Sequence, residues 1–469
     1  MFKTKAMTAQ GDRNSQPLLE IIDLSFTHVG QKQPTLEGIN LHLNPGELVV
    51  LAGATGSGKS TLLNCITGIS PEHTGGKLNG RVLYRAQEIT SQSIRERAKF
   101  MGIALQNVET QLFTDRVQEE IVFGLENWNC PAEEIEQITR IALIEFDLLE
   151  QQNWNVRQLS AGQKQRLLLA CLLTRNPDLL LLDEPFAFLD TAGIGLLLQL
   201  LKERVKQGQS LLIIEHRLEL LQGLCDRAYR IDAGSVKPCN LSDLPVAKRV
   251  LDRDRPTANK LVSTQETTIV LQTENVSWGG YPPFPDLRIS IGDIVLLQGD
   301  NGCGKTTLLK LLTGLLKPQT GWLQIKGQDA TGQSVIQIAR TIGFVLQNPN
   351  HQLFAESVEA EVNQPGVTLA RARELLEQLN LSHCTEKHPH ALSQGQKRRL
   401  ALGAVLARQP QICLLDEIMV GQDAMSLELM LRCLKIFTDR GGTLIFTSHD
   451  PGVTKILQPK IVRLHTNSV

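Results

Sequence analysis

The chain contains one series of short motifs twice, in the same order. The glycine-rich segment GATGSGKST at 53–61 returns as GDNGCGKTT at 299–307, each time after an apolar run. Four further pairs follow: LQNVETQLF and LQNPNHQLF, LSAGQKQR and LSQGQKRR, LLLLDEP and ICLLDEI, and IIEHR and FTSHD. From the LS-x-GQ pair onward, matching residues stand 233 positions apart (416 − 183 and 449 − 216). The 469 residues are therefore predicted to fold as two copies of one unit of about 230 residues.

Composition excludes several classes of protein. The 48 Lys and Arg residues balance 49 Asp and Glu residues, so the net charge of −1 would not draw the whole chain onto nucleic acid. No apolar run approaches the roughly 18 residues that span a bilayer, and the first residues lack the apolar part of a secretion signal. The segment 234–268 combines Pro, mixed charges and little periodicity, which indicates a linker. We expect a first domain at 18–238, a linker at 239–267, a second domain at 268–469, and a cytosolic location.

Each glycine-rich segment fits a G-x-x-x-x-G-K-[ST] phosphate loop. Small residues let backbone N–H groups face a polyphosphate, and the positive end of the following helix adds to its binding. Lys59 and Lys305 would reach the β and γ phosphates, while Ser60 and Thr306 would ligate Mg²⁺. The predicted ATP-binding residues are Gly53, Ala54, Thr55, Gly56, Ser57, Gly58, Lys59, Ser60 and Thr61, and in the second copy Gly299, Asp300, Asn301, Gly302, Cys303, Gly304, Lys305, Thr306 and Thr307.

Short continuous apolar runs indicate strands that are buried on both faces of a parallel sheet. Examples are LVVLAG, LLLLD and LLIIEH in the first half, and IVLLQG, ICLLD and TLIFTS in the second. The segments 115–158 and 355–391 are instead rich in Glu, Gln, Leu and Ala, which favours helices. The predicted fold class is α/β: two tandem P-loop NTPase cassettes, each with a mostly parallel sheet flanked by helices and an inserted helical subdomain.

An Asp-Glu pair follows an apolar strand in both halves. Asp183 and Asp416, at the carboxyl ends of these strands, fit the acidic residue that supports the Mg²⁺ shell in P-loop enzymes. Glu184 and Glu417 come next, and alternation at a strand end would turn their carboxylates toward an attacking water. They are the predicted general bases.

Together these motifs resemble the ATP-binding cassette (ABC) ATPases over nearly all of both halves. The most specific element is LS-x-GQ, whose Ser stands 23 residues before the acidic Asp in both copies (183 − 160 and 416 − 393). The resemblance implies that two ATP sites form between halves packed head to tail, an intramolecular pseudo-dimer. It implies that Ser160, Gly162 and Gln163 face the second phosphate loop, and that Ser393, Gly395 and Gln396 face the first.

The resemblance assigns roles to three further pairs. Gln106 and Gln347 would contact Mg²⁺ and water and link the nucleotide state to the helical subdomain. Asp190 and Asp423 would contact the opposite half, and His216 and His449 would hold the γ-phosphate. For the adenine ring, the family's aromatic position leaves Phe26 or His28 open in the first half, and Trp278 or Tyr281 in the second.

The sequence departs from the family pattern at four positions. Ala161 and Gln394 replace a glycine of the signature, Ile418 replaces the Pro after the Asp-Glu pair, and Gln422 replaces a Leu. These departures leave open whether the two sites are equally active. Because every Lys, Gln, signature Ser, acidic pair and His is present twice, neither site is predicted to be inactive.

The QLF blocks point to one subfamily. QNPNHQLF followed by ESVEAEV, and QNVETQLF followed by DRVQEEIVFGLEN, resemble the ATPases of energy-coupling-factor transporters and their cobalt and nickel relatives, including fused double-cassette members. This resemblance implies an importer ATPase on the cytoplasmic face of the membrane. Its partners would be a scaffold subunit with coupling helices and a membrane subunit that binds a vitamin or metal ion, and not nucleic acid.

Other readings remain open at this stage. A soluble tandem ABC ATPase that acts on ribosomes has a similar plan, although its linker is usually long and basic. A double-cassette sugar importer ATPase has a comparable length but does not explain the QLF blocks. A DNA-repair cassette would need a long coiled-coil insertion, and no such heptad stretch is present.

Overall fold

The computed structural model describes residues 16–54, 56–241, 268–280, 282–419, 422–448 and 450–464. Most of the predicted linker at 239–267 therefore lies outside the described residues, as do Thr55, Tyr281 and His449. The domain boundaries at 238 and 268 stay predictions.

The first half contains ten strands and seven α-helices within the described residues. The strands are β1 (Leu19–Thr27), β2 (Leu36–Leu43), β3 (Leu48–Ala52), β4 (Lys77–Tyr84), β5 (Gln87–Glu88), β6 (Met101–Ala104), β7 (Leu179–Asp183), β8 (Ser210–Ile214), β9 (Arg227–Asp232) and β10 (Ser235–Cys239). The helices are α1 (Lys59–Thr67), α2 (Ile69–Glu72), α3 (Ile94–Arg97), α4 (Val117–Asn127), α5 (Ala132–Glu145), α6 (Ala161–Leu173) and α7 (Thr191–Lys206).

The second half repeats most of these elements. Its strands are β11 (Ile269–Ser277), β12 (Arg288–Ser290), β13 (Ile294–Gln298), β14 (Thr320–Ile325), β15 (Gln328–Asp329), β16 (Ile342–Val345), β17 (Ile412–Leu415), β18 (Thr443–Thr447) and β19 (Lys460–Arg463). Its helices are α8 (Lys305–Leu312), α9 (Val335–Ile338), α10 (Val358–Val362), α11 (Leu369–Gln378), α12 (Gln394–Ala407), α13 (Ala424–Asp439) and α14 (Pro451–Leu457).

A mostly parallel sheet forms the centre of each half, which confirms the predicted α/β class. The strand order is β10-β9-β3-β8-β7-β6 in the first half and β16-β17-β18-β13-β19 in the second. In the first sheet the β9–β10 pair is antiparallel and the other pairs are parallel. Strands β3, β7 and β8 are buried along their whole length, as their continuous apolar runs predict. The carboxyl ends of these adjacent strands lie at one edge of the sheet.

Each half also carries a four-stranded antiparallel sheet that the motif analysis did not predict. Their orders are β2-β1-β4-β5 and β12-β11-β14-β15. Strands β1 and β2 alternate between buried and more exposed residues, the pattern of a sheet with one face against the core. These strands lie outside the nucleotide motifs, so motif matching passed over them.

The predicted helical insertions are confirmed. Helices α4 and α5 fall within 115–158, and α10 and α11 fall within 355–391. In each half the insertion packs against the helix that begins in the LS-x-GQ motif, α6 or α12. Within the described part of the chain, no helix is both long and apolar enough to cross a bilayer.

A buried arginine fixes the helix that follows the first phosphate loop. Arg97 is 2% exposed, and its guanidinium donates to the carbonyl oxygens of Cys65 and Ile66 at 3.0 and 2.7 Å. These carbonyls belong to the last turn of α1, where a helix leaves oxygens without partners. A third bond goes to Thr90 at 2.6 Å. At the matching place in the second half, Ile338 is buried in an apolar cluster.

We predict that Arg97→Ile lowers the free energy of unfolding by about 2–4 kcal/mol, because four carbonyl groups, those of Cys65, Ile66, Thr90 and Gln92, lose a donor. Isoleucine fills the matching space in the second half, so the loss would report the hydrogen bonds and not a cavity. Urea denaturation measures the change, and Arg95→Ile at an exposed position of the same helix is the control. Equal, small losses in both variants would contradict this account.

Candidate functional site

The first phosphate loop joins β3 to α1. Gly58 precedes the helix with φ of 104°, a left-handed conformation that favours glycine. The ammonium group of Lys59 donates to the carbonyl oxygens of Gly53 and Ala54, both at 2.8 Å, and so closes the loop. The Ser57 hydroxyl is buried and has no hydrogen-bond partner among the described residues. A buried polar atom without a partner beside a helix N-terminus fits an anionic ligand such as a phosphate.

The second phosphate loop has the same construction between β13 and α8. Lys305 donates to the carbonyl oxygens of Gly299 and Asp300 at 2.7 and 3.1 Å. Gly304 is left-handed, with φ of 91°. Cys303 stands where the first loop has Ser57, and its side chain packs in the apolar cluster behind the loop. Burial raises the pKa of this thiol.

A hydroxyl group and a carboxylate meet beside each loop. Ser60 donates to Asp183 at 2.7 Å, and Thr306 donates to Asp416 at 2.8 Å. Burial is the main reason that the pKa of Asp183 is raised to about 7 and that of Asp416 to about 6. Such oxygen groups fit Mg²⁺, which is usually held by one or two protein oxygens together with substrate phosphates and water. No group of three or more His, Cys, Asp or Glu side chains suited to a metal occurs in the described ranges.

The glutamate after each aspartate has an unusual backbone. Glu184 and Glu417 have φ of 53° and 50°, left-handed values that are uncommon for residues other than glycine. The prediction from strand alternation was therefore incomplete, because a local turn of the backbone sets the direction of these side chains. The same conformation therefore recurs at the matching position of each half.

Each glutamate lies beside the predicted glutamine of its own half. Gln347 donates to Glu417 at 2.9 Å, and Gln106 is hydrogen-bonded to Glu184. His216 Nε2 lies 3.2 Å from a carboxylate oxygen of Glu184. Burial favours the neutral form of Glu184, but the hydrogen bond and the charge of His216, with the Gln106 bond, outweigh it and lower the pKa. Burial acts against the charged form of His216, and Glu184 outweighs it and raises the pKa.

The first signature segment contacts the second phosphate loop. The Asn301 side chain donates to the carbonyl oxygen of Phe188 at 3.2 Å, and its backbone N–H donates to Asp190 at 3.4 Å. A Cβ atom on Gly162 would lie 2.6 Å from the Asn301 amide nitrogen and 2.7 Å from the backbone carbonyl oxygen of Phe188, so a larger residue would clash with the backbone there. The structure thus brings Gly162 and Asp190 to the second loop, in the head-to-tail arrangement that the resemblance implies.

Four of the predicted signature residues form helix caps. Ser160 and Gln163 bond to each other's backbone N–H groups at the start of α6, and Ser393 and Gln396 do the same at the start of α12. This reciprocal capping box satisfies two backbone N–H groups at the start of each helix. Gly395 is buried on the first turn of α12. Asp423 caps α13 through Ser426. Burial lowers the pKa of Lys59, and Asp423 is one of the carboxylates that oppose this change, so Asp423 lies within electrostatic range of the first loop.

The candidates for an adenine platform are reduced. Phe26 is fully buried in the core and cannot offer a free ring face, which leaves His28, packed edge-on against Phe26 at 4.9 Å between ring centroids. Trp278 is partly buried against the core of the second half. Tyr281 lies outside the described residues.

Sequence reasoning missed two buried glutamates next to the QLF blocks. Glu120 accepts from the backbone N–H groups of Phe113 and Thr114 at 2.9 and 2.7 Å. Glu361 accepts from those of Phe354 and Ala355, both at 2.8 Å. The signal was available, because each glutamate stands seven residues after the Phe of its block.

We predict that Asn301→Ala lowers kcat/KM for ATP about five-fold, since one neutral hydrogen bond across the two halves, worth about 1 kcal/mol, is lost. Steady-state phosphate release measures it. Asn79→Ala, on the exposed surface of β4, should have wild-type activity. An unchanged rate in Asn301→Ala would indicate that this contact does not contribute to the active arrangement.

Comparison with known proteins gives a consistent result. The ABC transporter family matches residues 36–187 and 285–420. A protein of Methanosarcina acetivorans, provisionally named an ABC transporter ATP-binding protein, is 31% identical over 93% of this chain and 83% of its own length. A Bacillus subtilis protein, provisionally named HMP/thiamine import ATP-binding protein YkoD, is 29% identical over 96% of this chain and 90% of its own. A chain from a ribosome-bound archaeal Pelota and ABCE1 structure shares the fold, with a TM-score of 0.66, 19% identity and coverage of 94% of this chain and 76% of its own.

Proposed function

Because this chain belongs to the ABC transporter family and is an ATPase of that family, we propose that it energises an importer of the energy-coupling-factor type. The proposed cargo is a vitamin or a metal ion. The observation that carries the proposal is the pair of QLF segments, which present exposed phenylalanines on a rigid loop that is tied to each ATP site. The import function in the name of the Bacillus subtilis relative supports it.

We propose that each ATP lies between the two halves. The phosphate-loop residues with Lys59 or Lys305 bind the phosphates, and the signature residues Ser160, Gly162 and Gln163, or Ser393, Gly395 and Gln396, close the site from the other half. Asp190 and Asp423 hold the halves together at the loops. Ser60 with Asp183, and Thr306 with Asp416, would hold Mg²⁺ together with Gln106 or Gln347. When bound, Mg²⁺ neutralises charge on the phosphate oxygens.

Hydrolysis is proposed to use Glu184 and Glu417 as general bases. Each takes a proton from a water whose oxygen bonds to the γ-phosphorus, while the bond to the ADP oxygen breaks, which yields ADP and phosphate. The low pKa of Glu184 keeps this carboxylate ready to accept a proton. His216 is proposed to orient Glu184 and to hold the γ-phosphate, and His449 has the second role in the other site by its matching position.

The QLF segments provide a physical link from the ATP sites to a partner. Phe113 is 74% exposed and Phe354 is 80% exposed. Because the buried carboxylates Glu120 and Glu361 fix the backbone behind them, both rings are held outward at matching places in the two halves. We propose that these two exposed rings, at matching places in the two halves, are part of a binding surface.

The glutamine of each QLF block continues the link inward. Gln111 bonds with both the N–H and the C=O of Leu105, the residue before Gln106. In the second half, Gln352 accepts from the N–H of Leu346, the residue before Gln347. Movement of a QLF segment would therefore displace the glutamine that is bonded to the proposed general base. We propose that coupling helices of a membrane scaffold subunit dock here, so the chain is peripheral on the cytoplasmic face of the membrane.

Two alternatives have less support. A ribosome-associated function draws on the ABCE1 likeness, which at 19% identity reflects the fold alone. A double-cassette sugar importer ATPase would have the same two ATP sites. Neither alternative explains why both halves hold a QLF phenylalanine outward.

We predict that replacing both Glu184 and Glu417 with Gln lowers kcat about 100-fold or more, while ATP still binds, because the proton acceptors are lost and the phosphate loops are intact. Each single variant should retain about half of the turnover if the sites act separately. Phosphate release and binding of radiolabelled ATP measure the two effects. Glu219→Gln, an exposed glutamate, is the control. Full turnover in the double variant would contradict the assignment.

We predict that the full chain co-purifies with integral membrane proteins from detergent-solubilised native membranes, and that Phe113→Ala with Phe354→Ala reduces this recovery about ten-fold without changing basal ATP hydrolysis. Mass spectrometry with a tagged chain measures recovery. Ile336→Ala, which removes another exposed apolar side chain, should have no effect. Recovery of ribosomes in place of membrane proteins would favour the alternative function.

A further inference from the structure

A single arginine lies between the two halves near both proposed general bases. Arg398 is on the first turns of α12, two residues after Gln396, and is 7% exposed. Its guanidinium carbon lies 5.8 Å from the centre of the Phe188 ring, which belongs to the first half. The charges that act on Arg398 are the carboxylates of Glu184 and Glu417, one from each half. Burial lowers the pKa of Arg398, and the two carboxylates oppose that change.

Arg398 also lines a cavity of about 100 Å³ that both halves enclose. Its walls include Gln106 and Gln347, the glutamines bonded to Glu184 and Glu417. Most wall residues occur as matching pairs of the two copies, so the cavity lies on the axis that relates the halves. The arginine has no such match, because residue 165, at the same 233-residue separation (398 − 165), is Gln.

Each glutamate has partners within its own half. Glu184 contacts His216 and Gln106, and Glu417 contacts Gln347. Arg398, by contrast, interacts electrostatically with the carboxylates of both halves. A buried cation within electrostatic range of two buried carboxylates stabilises the charged form of each and limits their orientations.

We infer that Arg398 is a positioning residue shared by the two ATP sites, a single buried cation that keeps both glutamates oriented for hydrolysis. It acts through the glutamates, whose charges act on its guanidinium. This inference rests on the proposed role of Glu184 and Glu417 as general bases. Because the charge of Arg398 serves both ATP sites, its removal should slow hydrolysis at both sites and not only at the site that α12 closes.

Arg398→Gln tests the inference, since it gives α12 the residue that α6 has at the matching position. We expect kcat to fall about ten-fold, within the usual range for coupling between sites, and KM for ATP to change less than about two-fold. Arg398→Lys retains the charge and should recover most of kcat. Arg408→Gln, the same substitution at an exposed position after α12, should leave kcat unchanged.

The decisive measurement uses Glu184→Gln and Glu417→Gln as backgrounds, each with one hydrolysing site left. Arg398→Gln should lower the remaining turnover about ten-fold in both backgrounds. A loss in only one background, or in neither, would overturn the shared role, as would a loss that Arg398→Lys does not relieve. Binding of radiolabelled ATP at wild-type affinity verifies the fold of each variant. Failure of the proposed function looks different, because the glutamine variants would then retain full turnover with Arg398 intact.

Discussion

A buried ammonium group lies beside buried carboxylates at each phosphate loop, and neither charge could be buried at this depth without the other. In the first half, burial lowers the pKa of Lys59 while Glu184 and Asp183 oppose the change. Burial raises the pKa of Asp183, and Ser60 and Lys59 oppose it. These groups lie at the ends of β3 and β7 and at the start of α1. The opposite charges meet only because the parallel sheet brings these chain segments to the same edge. The anchoring of α1 by Arg97 serves the same geometry from the opposite end of that helix.

The two halves share one backbone arrangement but have chemically different side chains at several matching positions. Arg97 and Ile338 fill matching spaces, one with hydrogen bonds and one with apolar contact. Leu189 is in the core of the first half, whereas Gln422 at the matching position is buried with no amide partner among the described residues. Arg398 faces both glutamates, and its counterpart is a neutral glutamine. Differences of this kind make the two sites chemically unequal even though each retains its full set of motif residues.

Where chemistry follows residue type, motifs in a fixed order predict the two phosphate loops, the acidic strand ends and the approach of each signature to the opposite loop. Sequence reasoning failed where the backbone conformation sets the direction of a side chain. Nothing in the identity of Glu184 predicts φ of 53°, because tertiary contacts impose a conformation that glutamate disfavours. The capping role of Ser160 and Gln163 could have been found, since Ser-x-x-Gln before a helix is a capping box. The place of Arg398 could not, because it depends on how the second half packs against Phe188 of the first.

Local hydrogen bonds in the QLF blocks connect an exposed surface to the buried ATP site. A carboxylate that accepts two backbone N–H groups behind Phe113 makes the loop stiff, and a stiff loop transmits displacement instead of absorbing it. Gln111 joins that loop to the end of β6, where Gln106 begins, and Gln106 is bonded to Glu184. The chain of contacts therefore runs from an exposed aromatic ring to a buried carboxylate within one half, and the second half repeats it. With the proposed function, displacement of either ring would pass along this route to the general base of the same half, and Arg398 interacts electrostatically with the glutamates at the ends of both routes.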